Sequence, residues 1–268
     1  MKKLMIAASA ALCAAVGFAD IQSSNIVGYN AITIDKKNTI MSVQFQNVSG
    51  NSLTIQEAFP AQEGMTQGPS ANAADQIQVQ NDKGGYDTYF LSNGKNARGQ
   101  AIAGLEPGTW VLMTAATKPA TVTFAPGQAF WYIAMDASAP YTVNVAGQVL
   151  ADEYIDIDIV KKNQHLACPY PTDLPINNIV AISGTTQGPS ANAADQIQVQ
   201  NDKGGYDTYF LSNGKNARGQ AIAGLEPGDW VLMTAATKKA TGAIPVGKGA
   251  WFIRFGDETA TIRVNRPW

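Results

Sequence analysis

Few residue types in this chain can do chemistry. It holds one histidine, His165, and two cysteines, Cys13 and Cys168, in 268 residues. So low a number excludes most zinc sites and any active site built on a pair of histidines. His165 and Cys168 are three apart, which on a strand turns the side chains to opposite faces. They therefore do not read as base and nucleophile, and Cys168 reads as a small, buried apolar residue. The most concentrated acidic feature is Asp75, Asp82 and Asp87 with the later set Asp195, Asp202 and Asp207. Carboxylates around a glycine-containing turn can hold calcium, which takes about six to eight oxygen ligands, and Asp82, Asp87, Asp202 and Asp207 are the candidates. Their spacing matches no EF-hand loop, and solvated turn residues are the plainer reading. Glu106 or Glu226 could meet an aspartate at the separation of about 5–10 Å that glycoside hydrolysis needs. No nucleophile elbow, glycine-rich strand-to-helix turn or zinc signature is present. The expectation is a protein that is not an enzyme and takes no cofactor.

The aromatic residues offer a second chemistry. Trp110 and Trp131, with their counterparts Trp230 and Trp251, are candidate ligand-binding residues, because an exposed indole face stacks on the apolar face of a sugar ring. Burial in the core is the competing reading, since large aromatics dominate small β cores. Lys95 and Arg98, with Lys215 and Arg218, lend one loop a local positive charge, either as an anion site or as a solvated turn.

The elements that position these residues come in duplicate. Thr66 to Lys118 recurs as Thr186 to Lys238, identical at 52 of 53 positions, with Asp229 replacing Thr109. The flanks align more loosely: Ile34 to Asn38 corresponds to Ile159 to Asn163, and Gly127 to Ile133 to Gly247 to Ile253. His165 has no histidine counterpart in the first copy. Within each copy, alternating Ile77-Gln78-Val79-Gln80 and the run Tyr86 to Leu91 flank Asn81 to Gly85, which predicts a hairpin. Leu105-Glu106-Pro107-Gly108 is a turn leading into Trp110 to Met113, and Ala125-Pro126-Gly127 leads into Phe130 to Ile133. Tyr141 to Val145 adds a further strand, and Leu53 to Ala58 a helical turn or two. Short strands punctuated by glycine and proline predict an all-β chain, two tandem β-sandwich or small-barrel modules related by internal duplication. The expected organisation is a leader over 1–19, one module over 20–147 and a second over 148–268. The stretch Ile21 to Ile34 is expected to pack on its own module rather than lend a strand to a neighbour.

Met1 to Ala19 reads as a secretory signal peptide: Lys2 and Lys3, an apolar stretch from Leu4 to Val16, and small residues at Gly17 and Ala19 before Asp20. Cys13 could mark a lipoprotein signal, but an ordinary cysteine of the apolar stretch is the simpler reading. Export places the product in the periplasm, at the cell surface or outside the cell. With the leader removed, only Cys168 remains and no internal disulfide can form. Composition is globular, 45% hydrophobic and 15% charged. Without Lys2 and Lys3 the chain carries 17 basic against 21 acidic residues, a net charge of −4. That balance speaks against nucleic acid as a partner. No apolar run after the leader is long enough for a transmembrane helix. Trp268 matches the aromatic last residue of outer-membrane barrels, although Pro267 and the short strands do not suit one.

The lysine-lysine-asparagine first strand, Asp-Gln-Ile-Gln-Val, Tyr-Asp-Thr-Tyr-Phe and the later Pro-Gly-x-x-Phe-Trp together resemble exported β-repeat proteins of bacterial envelopes. The resemblance implies export and an all-β module and transfers no catalytic or binding residue. Three functions follow as expectations: first, a non-enzymatic secreted or envelope protein with a structural or adhesive role, its partner being a second copy or an extracellular glycan. The alternatives are a carbohydrate-binding protein with aromatic platforms and a glycan-degrading enzyme.

Overall fold

The computed structural model describes residues 27–136 and 138–268; the leader and Asp20 to Ile26 lie outside them. In chain order the first ten strands are β1 (Val27–Ile34), β2 (Asn38–Ser42), β3 (Phe45–Gln46), β4 (Leu53–Thr54), β5 (Gln76–Gln80), β6 (Tyr86–Ser92), β7 (Thr109–Leu112), β8 (Thr123–Phe124), β9 (Ala129–Ile133) and β10 (Tyr141–Val149). The next ten are β11 (Tyr154–Ile159), β12 (Asn163–Ala167), β13 (Leu174–Pro175), β14 (Ile179–Ser183), β15 (Gln196–Gln200), β16 (Tyr206–Asn213), β17 (Pro227–Leu232), β18 (Ala243–Ile244), β19 (Gly249–Ile253) and β20 (Ala260–Asn265). The chain is all-β, 44% strand and 8% helical. Among the described residues no helix is long and apolar enough to cross a membrane.

Local chemistry accounts for the elements. The β5–β6 hairpin closes on Asn81, whose Oδ1 accepts from the backbone N–H groups of Lys83 and Gly85. Gly84 supplies the positive φ (+79°) that the turn requires. The helical turn before Pro60 is a single one, α1 (Ile55–Ala58), held by a capping box between Thr54 and Glu57.

Two five-stranded antiparallel sheets have the same order, β2-β9-β5-β6-β7 and β12-β19-β15-β16-β17. Each faces a three-stranded sheet, β1-β10-β3 in the first half and β11-β20-β14 in the second. None of the sheets closes, so the barrel form expected as one alternative is absent. Ile32, Ile34 and Val143 of one sheet meet Met41, Ile77 and Phe130 of the other in the first core. Ile159, Ile262 and Val264 meet Leu166, Ile197 and Phe252 in the second. The arm that opens the described chain, β1, pairs with β10 of its own half over eight residues. β10 runs through Gly147 to Val149, and Leu150 to Glu153 connect it to β11.

The halves dock through β2 and β12, each an outer strand of its five-stranded sheet. The sheets approach closely where Gly249 takes the position held by Ala129 in the first half. A Cβ on Gly249 would lie 2.6 Å from Ile40 Cγ2 and 2.7 Å from Ala129 Cβ. Neither atom sits at the end of a long flexible chain, so Gly249→Ala has to push the sheets apart. We expect it to cost about 1–3 kcal/mol, read from the urea midpoint of the chain. Adding Ala129→Gly, which removes one of the two clashing methyls, is expected to recover part of that loss.

Candidate functional site

The most elaborated polar and aromatic arrangement lies where the halves meet. An outer strand leaves every second residue's N–H and C=O without a partner on its free side. Gln200, at the end of β15, closes the free side of β2: its Oε1 accepts from the Ile40 N–H (3.1 Å) and its Nε2 donates to the Asn38 carbonyl (3.3 Å). Gln80, at the end of β5, does the same to β12, accepting from the His165 N–H and donating to the Asn163 carbonyl, both at 3.0 Å. The two contacts are reciprocal, first half to second and second to first. Ser42 N–H donating to the Gly247 carbonyl extends the closure of β2. Lys248 Nζ reaches the Thr33 carbonyl (2.7 Å), and Lys36 pairs with Asp202 at 3.9 Å and donates to the Asn201 carbonyl.

Between these contacts sits an aromatic layer. Ile40, Ala129 and Ala167 are buried there, with Trp131 and Trp251 packed against them. The two indoles lie 6.2 Å apart, edge to face. The His165 ring lies 4.1 Å from Trp251, 5.7 Å from Trp131 and 6.1 Å from Tyr86. Burial pushes the His165 imidazole down to about 4, and Lys161 pushes the same way; the Ala129 carbonyl opposes them. Grooves of about 440 Å³ and about 250 Å³ run along the two sides, one beside Gln80 and Lys161, the other beside Gln200 and Lys36.

This placement sorts the four tryptophans. Trp110 and Trp230 are buried in the cores, and their indole N–H groups donate to the Phe59 and Ile179 carbonyls. A ring with no exposed face cannot stack on a sugar, so the platform expected at Trp110 and Trp230 is not there. Trp131 and Trp251 are half-buried against each other and His165, and do not form a coplanar outward row.

The aspartates also separate by role. Asp82 and Asp202 are exposed turn residues, and Asp87 and Asp207 are exposed near the starts of β6 and β16. Asp87 and Asp207 accept from the Asn81 and Asn201 side-chain amides, which ties them to the hairpin turns. Among the described residues no group of three or more His, Cys, Asp or Glu is placed to hold a metal, so these four do not converge on a calcium site. Glu106 and Glu226 are exposed at their turns. The one difference within the repeated block, Asp229 for Thr109, is matched just beyond it: Asp229 pairs with Lys239 at 2.9 Å, where the first half has Pro119. The Lys95–Arg98 and Lys215–Arg218 loops are tied internally, with Asn96 and Asn216 each accepting two backbone N–H groups.

Asp75 and Asp195 are buried and pin the loop before β5 or β15 to the end of β9 or β19. Asp75 Oδ2 accepts from the Thr66 N–H and from the Tyr132 and Tyr141 hydroxyls, and Oδ1 accepts from the Met135 N–H at 2.7 Å. Burial, reinforced by the Asp75 charge, raises the Tyr132 phenol far above its ordinary value, and burial also raises Tyr141. Neither can act as a base near neutrality. Asp195 keeps only the two backbone donors, Thr186 and Phe255, because Phe252 stands where Tyr132 does and Ala260 where Tyr141 does. Beside Tyr141 a groove of about 640 Å³ is lined by polar groups including Gln62, Glu63 and Asn144.

Gln80, Gln200 and the role of Asp75 were not marked by the sequence. Each looks like an ordinary polar residue at the end or start of an alternating strand. Cys168 is buried and its thiol is pushed up to about 12, chiefly by burial, in keeping with an inert apolar role. Comparison with protein-family models, curated proteins and solved structures finds no match to the chain.

The unequal partner sets make a measurable difference. Asp75→Asn strands several buried donors and is expected to cost about 3 kcal/mol or more, against about 1–2 kcal/mol for Asp195→Asn. Tyr132→Phe, which gives the first half the residue of the second, should cost only about 1 kcal/mol. Urea midpoints of the three variants check the order.

Proposed function

We propose that this chain is an exported, non-enzymatic protein of the cell envelope or extracellular space with a structural or adhesive role. On this reading it is two tandem β-sandwich modules that arose by internal duplication and meet at the Gln80–Gln200 junction. The observation that carries the reading is the duplicated outer surface. The 53-residue block places the same hairpin turn and the same asparagine-built loop once in each half, with matching internal hydrogen bonds. A chain that presents one surface twice is suited to bridging, because the second contact forms at the high effective concentration set by the first. The residues that would serve catalysis or sugar stacking have other employment: Asp75 and Asp195 pin loops, Trp110 and Trp230 fill cores, and Trp131 and Trp251 fill the junction.

Binding of the mature chain, Asp20 to Trp268, to a glycan array with and without calcium tests this reading, alongside light scattering for self-association. Concentration-dependent assembly and a blank array are the expected results. Saturable glycan binding abolished by Trp131→Ala in a folded protein would replace the proposal with a lectin. Release of reducing ends from any arrayed glycan would replace it with a hydrolase.

A further inference from the structure

We propose that His165 makes the junction an acid-sensitive joint: protonating its imidazole opens the contact between the halves while each half keeps its fold. The geometry for this is specific. His165 is only 5% exposed, and neither Nδ1 nor Nε2 makes a well-formed hydrogen bond; the Ala129 carbonyl is the one backbone acceptor that favours its protonation. A neutral imidazole tolerates that site as a flat ring among three aromatics. An imidazolium there carries a buried charge and two N–H donors, and the Ala129 carbonyl can serve only one of them.

The surroundings contribute no counter-charge. From β9 the ring meets Trp131 and the Ala129 carbonyl and from β19 Trp251, while Gln80 of β5 holds the His165 backbone N–H; none of these is charged. β6 presents the Tyr86 phenol, and the turn before β12 presents Lys161, which repels a second positive charge. Asp156 and Asp158 of β11 line the groove alongside but are committed elsewhere: Asp156 to both Nε and Nη2 of Arg263, Asp158 to the Thr261 hydroxyl. On the other side of the joint, Ile40 takes the equivalent position and cannot titrate. The device is therefore one-sided.

The direction follows from the lowered affinity for protons. The closed joint holds His165 at about 4, whereas an exposed histidine titrates near 6.5. The joint is at full strength above about pH 6.5 and weakens as pH falls from there toward about 4, because the opened form binds the proton more readily. Opening releases the ring to water and uncovers Trp131 and Trp251, while the core clusters of the two halves share no residue and stay closed.

The only histidine of the chain is its own reporter. In the mature protein its ring resonances are expected to titrate below about pH 6.5, between the values of the opened and the closed joint. Over the same interval small-angle scattering should show the radius of gyration rising, with far-ultraviolet circular dichroism unchanged. The ratio of open to closed molecules should grow by about tenfold per pH unit. His165→Ile, which copies the residue at Ile40, should stay closed to pH 4. Ile40→His, which adds a second histidine to the joint, should open at higher pH and more steeply. Dimensions constant to pH 4 in the unaltered chain would overturn the proposal. So would the same opening in His165→Ile, or no added steepness in Ile40→His. The last holds even if the isoleucine variant at 165 does not fold.

Discussion

A β-sheet that ends in water must do something about its last strand, and here the answer is a glutamine side chain. A primary amide has the same donor and acceptor as a peptide group. The Gln200 amide can therefore lie against β2 as a further strand would, and Gln80 against β12. Each amide satisfies a part-buried N–H, which left unpaired would cost about 1–3 kcal/mol, and a carbonyl at the exposed end of the strand. The same device recurs inside the first half. Gln56 brackets the N–H and carbonyl of Trp110, and Gln62 brackets those of Asn144 in β10. In the second half the strand β14 pairs with β20 instead. A side chain in one half thus does the work of a strand in the other.

Closing an edge with an amide leaves the closed strand free to change. Gln80 and Gln200 belong to the block that is identical in the two halves, and what they bind is backbone in the flanks that differ. The contact does not depend on which side chain follows, so Ile40 and His165 can occupy equivalent places without loosening it. The flanks are where the two halves have become chemically distinct. Tyr132 and Tyr141 give Asp75 two hydroxyl donors, whereas Phe252 and Ala260 leave Asp195 with backbone donors alone. Ala129 faces Gly249 across a gap that holds one methyl and not two. An interface between identical surfaces has to place two equal groups opposite one another; unequal flanks relieve that constraint.

The strands and turns were legible in the sequence, because each rests on a local cause. Alternation marked β5, Asn81 to Gly85 marked its turn, and Pro107-Gly108 and Pro126-Gly127 marked the entries to β7 and β9. Tertiary roles were not legible. Trp110 and Trp131 both follow a proline-glycine turn within an apolar run, yet one is sealed under α1 and the other lies in the joint. Alternation gives the face on which a side chain lies but not what covers that face. Gln76, Gln78 and Gln80 share one face and one residue type, and only the approach of β12 at the end of the strand separates Gln80 from the others. Among the described residues neither a calcium site nor a coplanar tryptophan row is formed, and the reason is the same. Both require side chains from separate elements to converge, and convergence is a property of the packing.

The junction also changes what the duplicated surface can be used for. The outer face of each five-stranded sheet near β9 or β19 carries Trp131 or Trp251, with His165 beside them. Docking the halves spends that face on contact between them, and with it Trp131, Trp251 and the ring of His165. What stays outside in duplicate is the asparagine-built loop after β6 or β16, whereas the hairpin turn after β15 is engaged by Lys36 at the junction. That loop is polar and internally hydrogen-bonded, so little conformational freedom is lost when a partner engages it. On the proposed reading, a bridging role falls to this loop and not to the aromatic residues. The strength of any bridge then depends on how firmly two glutamine amides and one uncharged imidazole hold the halves in register.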